Sequence, residues 1–247
     1  MFKKHYWKAL LLAVPLIFLI MMMSGNRVPM QQESTSEIVA ARIDYEIRLD
    51  ATHPAAEWQR ADPVVFSADW QGKNPDPARQ TQVRVLWSNE TLYLRFECRY
   101  REIFVFEDSE PNGRRDHLWD RDAAEAFLQP DSSRPQFYRE IEVAPNGMWI
   151  DLDIFPGGST DLKSGLQRSV AVNPQSHTWV AELAIPMTTL TAQFDPSKIW
   201  RANFYRIEGS KEPRAYLAWQ PTGSPRPNFH VPRSFGTLRF TRASKKG

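Results

Sequence analysis

The chain has 247 residues, 42% hydrophobic and 24% charged, with 31 basic residues against 29 acidic ones. That balance fits one large globular domain, and charges of both signs are interspersed without a basic stripe, which argues against a nucleic-acid partner. Nine Trp and nineteen Pro against eleven Gly, with few long apolar-periodic stretches, favour strands joined by irregular loops.

Lys3, Lys4 and Lys8 precede an uncharged run from Ala9 to Met23. A positive start followed by a short apolar run is the pattern of an export signal, and the run is short for a spanning helix. Residues 1–25 are therefore expected to be a signal peptide, cleaved after Ser24 or Gly25. The lack of a clean A-x-A site leaves a retained anchor as the alternative, with membrane attachment through residues 9–23. Either way the rest of the chain is expected to be exported, periplasmic or extracellular, and held at the inner membrane if the segment is retained. Without the three lysines the basic residues fall to 28 against 29 acidic ones.

Residues 26–42 are polar and lack periodicity, so they are read as a linker. The folded part, residues 43–243, is expected to start where Ile43, Tyr45, Ile47 and Leu49 alternate with Asp44, Glu46 and Arg48, a half-buried strand pattern. Val64–Phe66 follows as a short strand. Val83, Val85 and Trp87 then alternate up to the turn Ser88-Asn89-Glu90, and Leu92–Tyr100 returns as the second arm of a hairpin. Cys98 is the only cysteine, so no intrachain disulfide forms, and it shares a face with Leu92, Leu94 and Phe96 as a small core residue.

A charged loop, Arg101–Asp122, leads into a strand at Ala123–Leu128. The stretch Arg115–Leu128 sets Trp119 beside several carboxylates and arginines. A flat apolar ring next to charged groups suits a sugar, whose C–H face packs on the ring while its hydroxyls bond the charges. The plainer alternative is a solvated loop with its Trp folded onto the core. Phe137–Val143 and Met148–Ile154 form another hairpin about Pro145-Asn146-Gly147, with Met148, Ile150, Leu152 and Ile154 on one face. Val170–Val172 with Thr178–Ile185, a helical turn at Pro186–Leu190, and strands at Trp200–Ile207, Tyr216–Trp219 and Thr237–Thr241 complete an antiparallel β-sandwich.

Candidate chemistry is sparse. Asp116, Asp120, Asp122, Glu125, Glu142, Asp151 and Asp153 could supply the two carboxyls of a glycosidase, which must flank one bond. Loop carboxylates could hold Ca2+, although no D-x-[DN]-x-[DN]-G loop is present and no cofactor is required. The five histidines lack zinc-ligand spacing, G-x-S-x-G is absent, and Gly157-Gly158 reads as a plain turn. Arg206 shares a strand face with Trp200, Ala202 and Phe204, so it needs a carboxylate partner, with Glu125 or Glu142 as candidates. Either a structural ion pair or a ligand-binding group would result. Gln220–Arg233 contains four prolines and could present Phe229 and His230 at a pocket edge with little ordering entropy.

Six segments in order resemble the carbohydrate-binding module family 9-like group, of the DOMON-type β-sandwiches. They are Val83–Trp87, Leu92–Phe96, Trp119–Leu128, Glu142–Gly147, Trp179–Pro186 and Asn228–Gly236. The resemblance spans residues 45–241 and implies an immunoglobulin-like, non-catalytic sandwich that binds poly- or oligosaccharide at chain ends, in support of carbohydrate breakdown by separate enzymes. It implies that two aromatic rings grip a terminal sugar while polar groups bind its hydroxyls. Trp119, in W-x-x-D-x-x-E with Asp122 and Glu125, matches the first ring and its acid. Phe229, followed by His230, stands where the second ring is a tryptophan, and Glu142 stands where the family has a binding arginine. The expected ligand set is Arg115, Trp119, Asp122, Glu125, Glu142, Arg206, Phe229 and His230. Two other functions stay open: a DOMON-like haem or redox module using Met148 with His230, and a glycoside hydrolase accessory acting through Glu125 with a second carboxylate.

Overall fold

The computed structural model describes Ser36 to Thr241, Pro111 apart. The expected signal or anchor, residues 1–25, lies outside the described residues, as do residues 26–35 of the expected linker. The described part is all-β, a curled and mostly antiparallel sheet. Among the described residues no helix is long and apolar enough to cross a membrane.

The clearest hairpin joins β3 (Thr81–Trp87) to β4 (Thr91–Arg99), with Val83 opposite Phe96 and Val85 opposite Leu94. Ser88 closes its turn by accepting the Thr91 N–H at 3.0 Å through Oγ. A short β2 (Val64–Phe66) flanks β3. On the other side β4 pairs with β10 (Thr178–Pro186), and β10 with β9 (Gln167–Asn173). A single helical turn, α1 (Met187–Leu190), follows β10 as expected.

The second half runs β8 (Gly158–Asp161), β7 (Trp149–Phe155), β6 (Tyr138–Val143), β5 (Ala123–Gln129), β11 (Trp200–Glu208) and β13 (Gly236–Phe240), with β12 (Ala215–Ala218) also paired to β11. The turn expected at Gly157-Gly158 is Pro156-Gly157, which joins β7 to β8, and Gly158 is already the first residue of β8. The two halves face one another across a shared core, in which Phe96 of β4 meets Phe204 of β11 edge to face at 6.1 Å. Cys98 is fully buried in that core, where burial raises its thiol to about 11. Its place as a small core residue is the expected one.

The start of the fold differs from the sequence expectation. Residues 43–49 form no strand; β1 is Glu37–Arg42, inside the expected linker. It joins the two halves, running parallel to β13 through Glu37–Ala40 and parallel to β3 through Ala41 and Arg42. Its stability comes from partners far along the chain, which local polarity does not report. Ile43 instead packs into a satellite cluster with Trp58 and Tyr93. The Phe235-Gly236 step also has a steric reason: a Cβ at Gly236 would stand 2.6 Å from the Trp219 ring and 2.8 Å from the Ser36 carbonyl.

Strand parity divides the functional residues. Along β5, Ala124, Ala126 and Leu128 enter the inner core, so Glu125 and Phe127 point to the outer face. Along β11, Ala202 and Phe204 enter that core while Tyr205 and Ile207 point outward. On β6, Ile141 and Val143 face inward, which leaves Tyr138, Glu140 and Glu142 outward.

Candidate functional site

The outer face of β11, β5, β6 and β7 carries two adjacent rungs. One is Tyr205, Glu125, Glu142 and Ile150; the other is Asn203, Phe127, Glu140 and Leu152. Side chains directly opposite across a strand pair stand close together, so the register alone brings the three glutamates into one group. One carboxylate oxygen from each of Glu125, Glu140 and Glu142 lies within 4.8 Å of the other two. All three residues are buried, at 2%, 3% and 0% exposure.

Two loops cover this face. The first brings Trp119 over it. Leu118–Asp120 forms a 3-10 turn after His117, whose φ of 55° lies in the left-handed region, and the His117 ring tilts over the indole at 4.8 Å. Arg214 donates to the Trp119 carbonyl at 2.7 Å and lies 5.0 Å over the Tyr216 ring, tying the loop to β12. The second loop, Gln220 to Arg233, is anchored by the Trp70 indole N–H donating to the Ser224 carbonyl at 3.0 Å.

Between the loops is a cavity of about 340 Å3, within the size range of small-ligand sites. Glu125 and Glu140 line it with Trp119, Tyr216, Phe229 and His230. Glu142 lies behind them. A wider cleft of about 890 Å3 adjoins it, sharing Ile154, Ser159 and His230.

Burial is the main cause that raises the carboxyl pKa of all three glutamates. For Glu125 the Glu140 charge adds to it, while Arg214 and Arg206 oppose. For Glu142 the charges of Glu125 and Glu140 add further. For Glu140 the His230 charge opposes the rise. Nearby hydroxyls are committed elsewhere: Tyr205 donates to the Phe229 carbonyl at 3.0 Å, and the Tyr138 hydroxyl bonds His230 Nδ1 at 2.7 Å. Such a group can share protons, bind a cation, or accept hydrogen bonds from an entering ligand.

Of the eight expected ligand residues, the fold brings Trp119, Glu125, Phe229 and His230 to the cavity wall, with Glu142 just behind. Trp119 is half-buried beside His117 and still on the wall. Phe229 is 7% exposed and stacks on Tyr205 at 4.1 Å with planes 9° apart, so one face of its ring is already covered.

Arg206, Asp122 and Arg115 do not line the cavity. Arg206 is wholly buried on the inner face, 3.6 Å from both Asp122 and Glu208 and 5.1 Å over the Trp179 ring. It does need a carboxylate partner, but the partners are these two acids, since parity sets Glu125 and Glu142 on the opposite face. Asp122 is sealed in, accepting the Gly209 N–H at 2.7 Å, and burial raises its carboxyl pKa against the pull of Arg206. Arg115 lies 4.0 Å over the Phe106 ring and 3.4 Å from Asp108. Met148 and His230 sit near opposite ends of β6, Met148 beside the turn that follows it and His230 against Tyr138.

Glu140, Tyr138, Tyr216 and Arg214 were not singled out from sequence. Glu140 could have been, because it lies two residues before Glu142 and shares its strand face. Tyr216 and Arg214 carry no local signal, since their place depends on β12 returning to β11.

Residues 49–242 match the model of the carbohydrate family 9 binding domain-like family. The chain belongs to that family. An extracellular protein of Arthroderma benhamiae is 25% identical over 204 residues, 76% of this chain and 88% of its own length. The UPF0462 protein C4orf33 homolog of Rattus norvegicus is 30% identical over 140 residues, 52% of this chain and 66% of its own. Among solved structures, a Bacteroides uniformis protein superposes with a TM-score of 0.65 at 16% identity, covering 83% of this chain and 99% of its own. A family 9 carbohydrate-binding module of Caldicellulosiruptor kristjanssonii, solved with cellotriose, does so at 0.58 and 14% identity, covering 85% and 95%. At these identities the superpositions speak for the fold.

Proposed function

We propose that this member of the family is an exported, non-catalytic carbohydrate-binding protein that captures oligosaccharide or the ends of polysaccharide chains for breakdown by separate enzymes. The two facing halves of the sheet serve as the immunoglobulin-like, DOMON-type sandwich that carries the site. Residues 9–23 direct the chain out of the cytoplasm and, if retained, hold it at the membrane.

The observation that carries this reading is the cavity itself, in which Trp119 and the Glu125 and Glu140 carboxyls share one wall system of about 340 Å3. An indole offers a flat surface to the C–H face of a pyranose, and buried carboxyls accept hydrogen bonds from its hydroxyls. Phe229, backed by Tyr205, supplies a rigid ring edge on the other loop. The adjoining cleft past His230 gives a longer chain a way out, so a terminal sugar fits the smaller cavity. A family relative solved with cellotriose and another structure of a family module with glucose support the ligand class.

Stacking with a few hydrogen bonds gives affinities on the order of micromolar to millimolar. Calorimetry of the full chain with glucose, cellobiose, cellotriose, xylobiose and glucosamine tests the proposal. Binding of at least one sugar, lost in Trp119→Ala with unchanged thermal stability, is expected. No heat with any of them would refute it.

A further inference from the structure

Among the described residues no arginine or lysine pairs directly with the carboxylate group under the cavity. Among the described residues, Glu125 Oε1, Glu140 Oε2 and both Glu142 oxygens are buried without a hydrogen-bond donor. The neighbouring cations are engaged elsewhere. Arg214 is tied to the Trp119 carbonyl and to Glu212, and Arg206 lies between Asp122 and Glu208 beneath the sheet. His230 Nδ1 stands 4.0 Å from Glu140 but is bonded to the Tyr138 hydroxyl. An uncompensated group of this kind is costly in the empty protein, and burying unpaired carboxyls is uncommon in a fold that needs none.

Two independent features meet at this point: unpartnered acids nine-tenths buried or more, and an open cavity with an indole on its wall. We infer, resting on the carbohydrate reading, that the sugar taken here carries a protonated amine, an amino sugar whose ammonium enters the space among Glu125, Glu140 and Glu142. Three oxygens no more than 4.8 Å apart can all lie about 2.8 Å from one central atom, the length of a charge-assisted N–H···O bond. An ammonium has three donors and no acceptor, so it matches three acceptors. A neutral hydroxyl brings one proton and leaves the negative charge in place.

A divalent metal is the competing occupant. Ca2+ takes six to eight oxygen ligands, whereas the walls around these three acids are mainly Trp119, Phe127, Leu152, Ile207 and Phe229. The apolar surroundings fit a sugar ring with an amine better than a bare ion.

The test is calorimetry of the full chain at neutral pH with chelator present, comparing glucosamine and its β-1,4 disaccharide with glucose, cellobiose and N-acetylglucosamine. The amines should bind on the order of tenfold tighter than their neutral counterparts, and acetylation should remove the gain. Glu142→Gln, at the acid behind the cavity wall, should bring amine affinity down to the neutral level while leaving neutral-sugar affinity within about twofold. Equal or tighter binding of neutral sugars would overturn the amine inference and leave the carbohydrate reading standing. So would stoichiometric binding of Ca2+ alone, in chelator-free buffer, that Glu142→Gln abolishes. Failure of every sugar, charged or neutral, would overturn both.

Discussion

Replacing Glu142 by glutamine is expected to stabilise the ligand-free protein at neutral pH. Glu142 is fully buried, and neither carboxyl oxygen has a donor among the described residues. Glutamine keeps the shape, removes the ionisable group and brings two N–H donors toward Glu125 and Glu140. Leaving a buried polar group unsatisfied costs about 1–3 kcal/mol, so relief of that order is expected. In a domain of this size that is a rise in Tm of roughly 2–12 °C.

The pH dependence supplies a second readout. A carboxyl whose folded pKa is raised binds its proton more tightly when folded, so its contribution is fully present below its ordinary pKa and is lost as pH climbs through the raised value. The ordinary value is 4.5, so wild-type stability should decline from there upward, and the decline should be shallower in Glu142→Gln. Asp50 and Asp76 are held down at about 2, chiefly by the Thr52 hydroxyl and by Arg101, so their losses fall at lower pH, outside this window. Thermal unfolding followed by tryptophan fluorescence across the window measures both effects. A Glu142→Gln protein less stable than wild type at neutral pH, with an unchanged pH slope, would refute the account of the group as an uncompensated burial.

Three further outcomes follow from the packing. Arg206→Met leaves Asp122 buried without its cation, while Glu208 keeps Arg79 at 2.7 Å, and chemical denaturation should show a loss of about 3–5 kcal/mol. Phe229→Ala removes a ring stacked on Tyr205 and should cost about 3 kcal/mol or more by the same assay, besides weakening any sugar binding. Gly236→Ala drives a methyl against the Trp219 ring and the Ser36 carbonyl, and a fall in Tm of several degrees, about 1–3 kcal/mol, is expected.

Much of the fold was legible because its signals are local. The β3–β4 and β6–β7 hairpins announce themselves through alternation on either side of Ser88-Asn89-Glu90 and Pro145-Asn146-Gly147. β1 was not legible, because it pairs with β13 and β3, strands distant in sequence, and the alternation at Ile43–Leu49 packs without forming a ladder. At the site, the motif around Trp119 pointed to a loop that walls the cavity. The same motif drew in Asp122, which parity and the Gly209 N–H turn into a structural acid. Neighbours in sequence three residues apart on a strand point to opposite faces, so a spacing read as one site was in fact two.

That division explains why the acids of the cavity stand without a directly paired arginine or lysine although an arginine lies close by. Arg206 and Tyr205 are adjacent on β11, yet one enters the inner core and the other opens onto the outer face. The inner face keeps a paired set, Arg206 with Asp122 and Glu208, against Trp179, with Arg79 also bonded to Glu208. The outer face keeps Glu125, Glu140 and Glu142 beside an opening. A sheet selected for stability alone would place apolar residues at these three positions, as it does at Phe127, Leu152 and Ile207 around them. Binding sites commonly retain groups that destabilise the empty protein and are satisfied only when the ligand arrives. A ligand that neutralises the group should therefore raise Tm by more than its contacts with Trp119 alone would give, and the excess should vanish in Glu142→Gln. Equal thermal shifts in the two proteins would mean that the acids are structural and that the indole alone carries the recognition.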